Sequence, residues 1–243
     1  MRLVLLLMTA CSGQDDSGAR CEPAPLSTPT TNFFTDISDA SGMRIDNYYE
    51  DPPDGTSIND HSRLAVADLN GDGFDDLIMH SLFPNAQNGV PFEHLIFLNN
   101  QDGTFRDFSD DSGLRDVQAG FFAFADMDND GDQDVFAGVD VYDIGAHHQV
   151  LLNDGTGVFV PVEDAGVDEL TYAMAANAAF ADFDGDGILD LFVGQGGTMY
   201  VMNDEVFLGR GDGTFDRQSS ALGTDLDQPS NGSITCDMDN DGD

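Results

Sequence analysis

Short apolar runs recur along this chain, separated by polar, glycine-rich segments. Each repeat holds two apolar runs around a polar loop, then about 20 residues later a third run ending in leucine. Runs of this length between turn residues are typical of β-strands. The first runs are residues 64–66, 121–124, 177–180 and 233–235; the second are 77–79, 135–137 and 191–193; the third end at Leu98, Leu152 and Leu208.

A fourth strand is predicted after a tight turn. Phe105, Phe159 and Phe215 each stand seven residues after those leucines, and a glycine always lies two residues before the phenylalanine. Glycine is expected where a hairpin needs a positive φ. Four strands in about 56 residues predict an all-β fold, a β-propeller built of four-stranded blades. The repeats are expected at about residues 60–114, 115–170 and 171–225, with an incomplete one at 226–243.

The third repeat contains a conflict between propensity and register. Residues 169–181 are rich in alanine, which by itself favours a helix. The repeat register places the first strand of the blade at the end of this segment. We therefore expect a strand there.

An acidic loop stands between the first two strands of every repeat. In each complete copy Asp or Asn occupies positions 1, 3 and 5, Gly position 6 and Asp position 9. Oxygen ligands at alternate positions, with a glycine to turn the chain, are typical of Ca²⁺ sites. Position 12 holds Met79, Ala137 or Val193, so an EF-hand is excluded. The copies are residues 68–76, 126–134 and 182–190 (loops 1, 2 and 3), and 237–243, which lacks position 9.

The charge is extreme, with 46 acidic and 8 basic residues and a formal net charge of −38. Nucleic acid is excluded as a partner, because phosphate contacts need clustered Lys and Arg. No apolar run is long enough for a transmembrane helix. Nucleophile elbow, phosphate loop and HExxH motifs are absent from the sequence. We therefore expect a binding protein rather than an enzyme.

Two smaller motifs are better explained by the fold than by chemistry. The histidines His94, His147 and His148 have no Cys or second His at a ligand spacing, and we expect them on strand faces. Arg210-Gly211-Asp212 has the sequence of a cell-adhesion tripeptide, but its Asp-Gly pair coincides with the hairpin turn of the repeat.

The N-terminus is similar to a bacterial export signal. Residues 1–11 hold a short basic and apolar start before Cys11, which we predict to be the lipidated residue of a lipobox. Residues 12–32 are expected to be a flexible tether. Ser12 after this Cys resembles outer-membrane lipoproteins, which predicts the outer membrane or cell surface, or otherwise secretion. A Cys21–Cys236 disulfide stays open, since Cys236 also matches Ala67, Ala125 and Ala181 of the repeats.

One segment is out of order. Residues 34–42 match residues 105–113, which end the first blade, almost one for one. An outer strand at the N-terminus is what closure of a propeller ring needs, because closure removes open sheet edges. We therefore expect an orphan closure strand, three blades and the start of a fourth, a truncated part of a propeller of about seven blades.

These motifs together resemble the FG-GAP/VCBS repeat family, whose best-known members are the integrin α-chain propellers, and the match covers about residues 33–243. The resemblance implies Ca²⁺ in three complete sites and a fourth incomplete one. The side-chain ligands would be Asp68, Asn70, Asp72 and Asp76; Asp126, Asp128, Asp130 and Asp134; Asp182, Asp184, Asp186 and Asp190; and Asp237, Asp239 and Asp241 in the incomplete copy, whose metal-site residue Asp243 stands at position 7. The carbonyls of Phe74, Asp132 and Ile188 would complete the three sites.

The resemblance also implies a function. We expect a Ca²⁺-stabilised scaffold that binds a protein or glycan at the cell surface, through loops such as residues 44–59. The alternative is a carbohydrate-active propeller, either a lectin or a polysaccharide lyase. Tyr48-Tyr49 is the exposed aromatic cluster that glycan binding would use.

Overall fold

The computed structural model describes residues 35–43, 64–81, 93–139, 147–167, 175–195 and 204–218, together with residues 230, 232, 233 and 235. The unit Ile37–Asp243 contains every strand assigned in them. Its elements are α1 (Ser38–Ser41), β1 (Leu64–Ala67), β2 (Asp76–Ser81), β3 (Glu93–Asn99), β4 (Phe105–Asp107), β5 (Phe121–Ala125), β6 (Asp134–Gly138), β7 (Gln149–Asn153), β8 (Phe159–Pro161), β9 (Ala175–Ala181), β10 (Asp190–Gln195), β11 (Glu205–Gly209) and β12 (Phe215–Arg217).

The strands form three four-stranded antiparallel sheets, each ordered as in the sequence. We call them blade 1 (β1–β4), blade 2 (β5–β8) and blade 3 (β9–β12). The all-β fold and the four strands per repeat are confirmed. The first strands β1, β5 and β9 are neighbours, so the described sheets are arranged as in a propeller, without closing a ring.

The alanine-rich segment of the third repeat is a strand, as the register predicted. Its residue Ala181 pairs with Asp190 at the start of β10, and the pairing continues to Ala175. Ala175 is fully buried against blade 2, and Ala178 and Phe180 pack beside it. Tertiary pairing and burial therefore override the helix propensity of alanine.

Two apolar clusters hold the three blades together. One lies between blades 1 and 2 and includes Ile78, Phe122 and Leu151. The other lies between blades 2 and 3 and includes Phe136 and Leu191. Adjacent residues of a strand point to opposite faces of its sheet, so blade 2 contributes to both clusters. This explains why every residue of β6 is buried.

The exits of blades 1 and 2 each contact the outer strand of the next blade. Gly113 has φ +77°, and a Cβ there would lie 2.3 Å from the carbonyl oxygen of Phe159. Gly166 has φ +81° and the same relation to Phe215, at 2.0 Å. A side chain at either glycine would therefore collide with the backbone of the following blade.

The N-terminal segment has the geometry of such an exit. Gly42 has φ +79°, and its Cβ would lie 3.0 Å from the carbonyl oxygen of Phe105. The Ser41 amide donates to the Ile37 carbonyl at 2.8 Å, as the Ser112 amide does to the Phe108 carbonyl at 3.0 Å. Residues 37–42 therefore pack against blade 1 as the exit of a preceding blade would. The strand expected around Phe34 lies outside the described residues, and ring closure stays a prediction.

Several predicted features fall outside the described residues. They include Cys11 and Cys21, the loop 44–59 with Tyr48-Tyr49, Cys236, and the incomplete acidic loop with Asp237, Asp239, Asp241 and Asp243. Within the part of the chain that is described, no helix has the length and apolar character needed to cross a membrane.

Candidate metal centre

Loops 1, 2 and 3 lie where the repeat pattern predicted them, between the first and second strands of the three blades. Position 6 of each loop has a positive φ, namely 84° at Gly73, 100° at Gly131 and 88° at Gly187. Position 4 has one as well, a feature that our sequence analysis missed. Its signal is the presence there of Gly71, Asn129 and Gly185, residues that tolerate this conformation.

The aspartate at position 1 organises each loop. In loop 1 the Asp68 carboxylate accepts the amide of Asp72 at 3.1 Å and that of Gly73 at 2.8 Å. The Asp126 and Asp182 carboxylates accept the two corresponding amides of loops 2 and 3. The backbone is thereby wrapped around this carboxylate.

Positions 3 and 5 add hydrogen bonds of the Asx-turn type. In loop 1 the Asn70 side-chain oxygen accepts the Asp72 amide at 3.1 Å, and Asp72 accepts the Phe74 amide at 2.9 Å. The same bonds occur in the other two loops. The three side chains of each loop are thus fixed by hydrogen bonds from the backbone that surrounds them.

This arrangement brings carboxylate oxygens close together. Ligand atoms of Asp126, Asp128 and Asp130 lie within 4.8 Å of one another, and so do those of Asp182, Asp184 and Asp190. Burial and the neighbouring Asp130 carboxylate raise the pKa of Asp128. Such clusters of hard oxygen donors fit a hard cation such as Ca²⁺. In loop 1, where position 3 is Asn70, an amide oxygen replaces one carboxylate.

The aspartate at position 9 is buried and is bound to two parts of its blade. Asp134 accepts the Met127 amide at 2.8 Å and the Asn153 amide at 2.9 Å, one on each oxygen. Asp76 and Asp190 make the same pair of bonds in blades 1 and 3. This residue therefore ties its loop to the end of the third strand, a role that the sequence pattern did not reveal.

A ligand role for this aspartate is compatible with its hydrogen bonds. Each carboxylate oxygen has two lone pairs and uses one of them for the amide. Burial raises the pKa of Asp134 to about 6, and also raises the pKa values of Asp76 and Asp190. A bound cation would offset the cost of holding these buried carboxylates in their charged form. Coordination by position 9, and by the carbonyls of Phe74, Asp132 and Ile188, stays a prediction.

His94, which lies in β3, and His148, which directly precedes β7, are structural. His94 and His148 are buried, and burial lowers the pKa of each to about 4. The Val139 amide donates to His148 Nδ1 at 3.0 Å, while His94 Nε2 lies 2.8 Å from the Val117 carbonyl oxygen. Asp204 takes the equivalent place in blade 3, where its carboxylate accepts the Gln195 amide at 2.9 Å.

The charged side chains of the Arg-Gly-Asp tripeptide form hydrogen bonds within their own hairpin. Arg210 Nε donates to the Asp216 carboxylate at 2.9 Å, and its terminal nitrogen forms an ion pair with the same group. The Asp212 carboxylate accepts both the amide and the hydroxyl of Thr214, at 3.1 and 2.6 Å. These bonds support the interpretation of the tripeptide as turn chemistry.

Comparison with known proteins identifies the repeats. A family model described as an FG-GAP-like repeat matches residues 139–193, which run from the end of β6 through loop 3 and into β10. A second, described as an FG-GAP repeat, matches residues 62–81, which contain β1, loop 1 and β2. A search of curated proteins found no match to the chain.

Proposed function

We propose that this chain, in which two segments match FG-GAP repeat models, is a calcium-stabilised scaffold that binds a partner protein outside the cytoplasm. The family and the propeller-like arrangement support a binding scaffold. The proposal also includes calcium binding, a location outside the cytoplasm and a role in adhesion.

The observation that carries the calcium proposal is the convergence of side-chain oxygens in equivalent loops. Carboxylates within 4.8 Å of one another repel unless a cation or a proton lies among them. The group holds positions 1, 3 and 5 in loop 2 and positions 1, 3 and 9 in loop 3. All three loops share the positive φ at positions 4 and 6 and the hydrogen bond from the position 5 amide to the position 1 carboxylate. Ca²⁺ would supply positive charge there, and the loop residues would hold it at the start of the second strand of each blade.

The proposed location is the bacterial cell surface, with a lipid anchor at Cys11. Its support is the sequence around residues 1–11 and the strongly acidic composition. The proposed partner is a protein, which the FG-GAP repeats favour. A glycan partner, or lyase activity, remains the alternative that the resemblance implied.

Chelation tests the metal proposal. We expect EDTA to lower the melting temperature of the full chain, because removing a ligand held at 100 times its Kd costs about 2.7 kcal/mol per site. Calorimetry or circular dichroism would measure the shift. Excess Ca²⁺ should restore it, and EDTA already saturated with Ca²⁺ should have no effect. An unchanged melting temperature would contradict the proposal.

Binding assays test the scaffold proposal. The full chain would be tested for Ca²⁺-dependent binding to extracellular proteins, to a glycan array, and for lyase products from acidic polysaccharides. We expect binding to a protein. Glycan binding or lyase products without protein binding would favour the alternative.

A further inference from the structure

Asn153 lies at the end of β7, between loop 1 and loop 2. Its side-chain nitrogen donates to the carbonyl oxygen of Leu69 at 2.8 Å and to that of Gln133 at 3.1 Å. Leu69 is position 2 of loop 1, and Gln133 is position 8 of loop 2. One side chain of blade 2 is therefore bonded to acidic loops of two different blades.

These bonds belong to a continuous series that joins the position 9 aspartates of the two loops. The Asp76 carboxylate accepts the Leu69 amide at 2.9 Å, and the Leu69 carbonyl accepts the Asn153 side chain. The Asn153 amide donates to the Asp134 carboxylate, which also accepts the Met127 amide. All four bonds are buried. Movement of either loop would break bonds that water does not readily replace.

The packing around this connection leaves little freedom. Leu69 is 1% exposed and Asn153 is 5% exposed. The Asn153 side-chain oxygen accepts the amides of Gly155 and Gly157, both at 3.1 Å, which fixes the orientation of the donor nitrogen. Gly157 itself lies against Leu69. Loop 1 and the hairpin of blade 2 therefore form one packed unit.

The same connection cannot form between loops 2 and 3. Gly209 occupies the position of Asn153 in blade 3, and a Cβ there would lie 2.3 Å from the carbonyl oxygen of Leu189. Its amide keeps the bond to Asp190, at 2.8 Å, but it has no side chain to reach Met127 of loop 2. The junction between blades 2 and 3 therefore has no counterpart of the Asn153 side chain.

We infer that loops 1 and 2 bind Ca²⁺ as an energetically coupled pair through Asn153, while loop 3 binds it independently. The inference rests on the proposed calcium binding. Residues of loop 2 that are ordered by a cation would hold Asp134 and Asn153, and Asn153 would hold the backbone of loop 1 in its binding conformation. Linkage makes the effect reciprocal.

Site-resolved titration tests the coupling. The amides of Gly73, Gly131 and Gly187 each donate to the position 1 carboxylate of their own loop, so their NMR resonances report the three loops separately. Loop 2 is disabled by Asp126→Asn with Asp128→Asn, which retains the side-chain acceptors. We expect the Ca²⁺ affinity of loop 1 to fall about five- to tenfold, and that of loop 3 to stay unchanged.

The role of Asn153 is tested in the same titration. Asn153→Gly copies the residue of blade 3, and we expect that disabling loop 2 then leaves the affinity of loop 1 unchanged. Asn99→Gly is the matched control, because the Asn99 side chain bonds within blade 1, to Asp75 and Gln101, and this variant should retain the coupling. Circular dichroism checks the fold, and Asn153→Ala replaces Asn153→Gly if that variant unfolds.

The outcomes separate the two proposals. If Ca²⁺ shifts none of the three glycine resonances, calcium binding is wrong and the coupling falls with it. If the resonances shift but the Ca²⁺ affinity of loop 1 does not change when loop 2 is disabled, the coupling alone is wrong. Coupling that persists in Asn153→Gly and Asn153→Ala would overturn the role of Asn153.

Discussion

The junction between blades 1 and 2 and the junction between blades 2 and 3 share their apolar contacts and one backbone hydrogen bond, but differ in a side-chain contact. The shared bond joins the Phe159 amide to the Ser112 carbonyl at 2.8 Å and the Phe215 amide to the Ala165 carbonyl at 2.9 Å. Both bury a phenylalanine-rich cluster, and both place an exit glycine on a phenylalanine carbonyl. The first junction adds the Asn153 side chain between two acidic loops. In the second, Gly209 takes that position.

The difference shows which contacts a repeat can reproduce. Apolar burial is non-directional, so any large side chain on the correct strand face contributes to it. A side-chain hydrogen bond between blades is directional and needs one particular side chain at one position. Repeats that look equivalent can therefore differ in how strongly neighbouring blades are linked.

The largest expected effect is at the exit glycines, a feature that both junctions share. Gly113→Ala and Gly166→Ala would each bring a Cβ within 2.3 or 2.0 Å of a backbone oxygen, in addition to left-handed strain of about 1–2 kcal/mol. We expect each to lower the free energy of unfolding in urea by about 3 kcal/mol or more. In Gly103→Ala the new Cβ would meet nothing within 4 Å, so the loss of unfolding free energy should come from the left-handed backbone strain alone. Equal losses for all three variants would contradict the proposed contacts.

A smaller effect is expected at Asn153, the residue that distinguishes the first junction from the second. Asn153→Gly leaves the buried Leu69 carbonyl without its donor, whereas Asn99→Gly removes a bond to Asp75 that is exposed. Both variants place glycine at the end of a third strand. We therefore expect the first to cost about 1–2 kcal/mol more than the second, by urea unfolding in EDTA. Equal losses would show that the connection between the blades contributes no net stability.

A pH effect separates blade 2 from blade 3. Burial lowers the pKa of His148 from 6.5 to about 4, so its contribution to stability is complete above pH 6.5 and is lost as the pH falls towards 4. Blade 3 has Asp204 in this place. His148→Asn keeps an acceptor for the Val139 amide and cannot be protonated. Relative to the parent chain, it should gain about 2–3 kcal/mol between pH 7 and pH 4. If the free energies of unfolding of the variant and the parent chain change in parallel with pH, His148 is not the source of this pH dependence.

The smallest expected effect is at the hairpin of blade 3. Arg210 and Asp216 form an exposed ion pair, with half or more of each side chain accessible. We expect Arg210→Ala to change the free energy of unfolding by no more than about 0.5 kcal/mol, measured in urea at moderate salt. Loss of partner binding in this variant, at unchanged stability, would instead assign a recognition role to the tripeptide.

The strands and the acidic loops could be predicted because their signals are local and repeated. Glycine at 103, 157 and 213 has positive φ in all three hairpins, and Ala175–Ala181 is a strand although its composition favours a helix. The structural role of Asp76, Asp134 and Asp190 could not be predicted, because their second hydrogen-bond partner lies about 20 residues away on another strand. Only strand pairing brings the two together.

The sequence by itself determined the repeat, the strands and the side-chain oxygens available to each loop, since alternation, turn glycines and Asx turns act over a few residues. The tertiary structure decided which backbone groups the side chains reach. Asn153 donates to the carbonyl of Leu69, which lies 84 residues earlier in the sequence and belongs to the acidic loop of the neighbouring blade. The reason is physical: a side-chain hydrogen bond depends on which backbone group lies within about 3 Å, and the packing of the blades sets that distance.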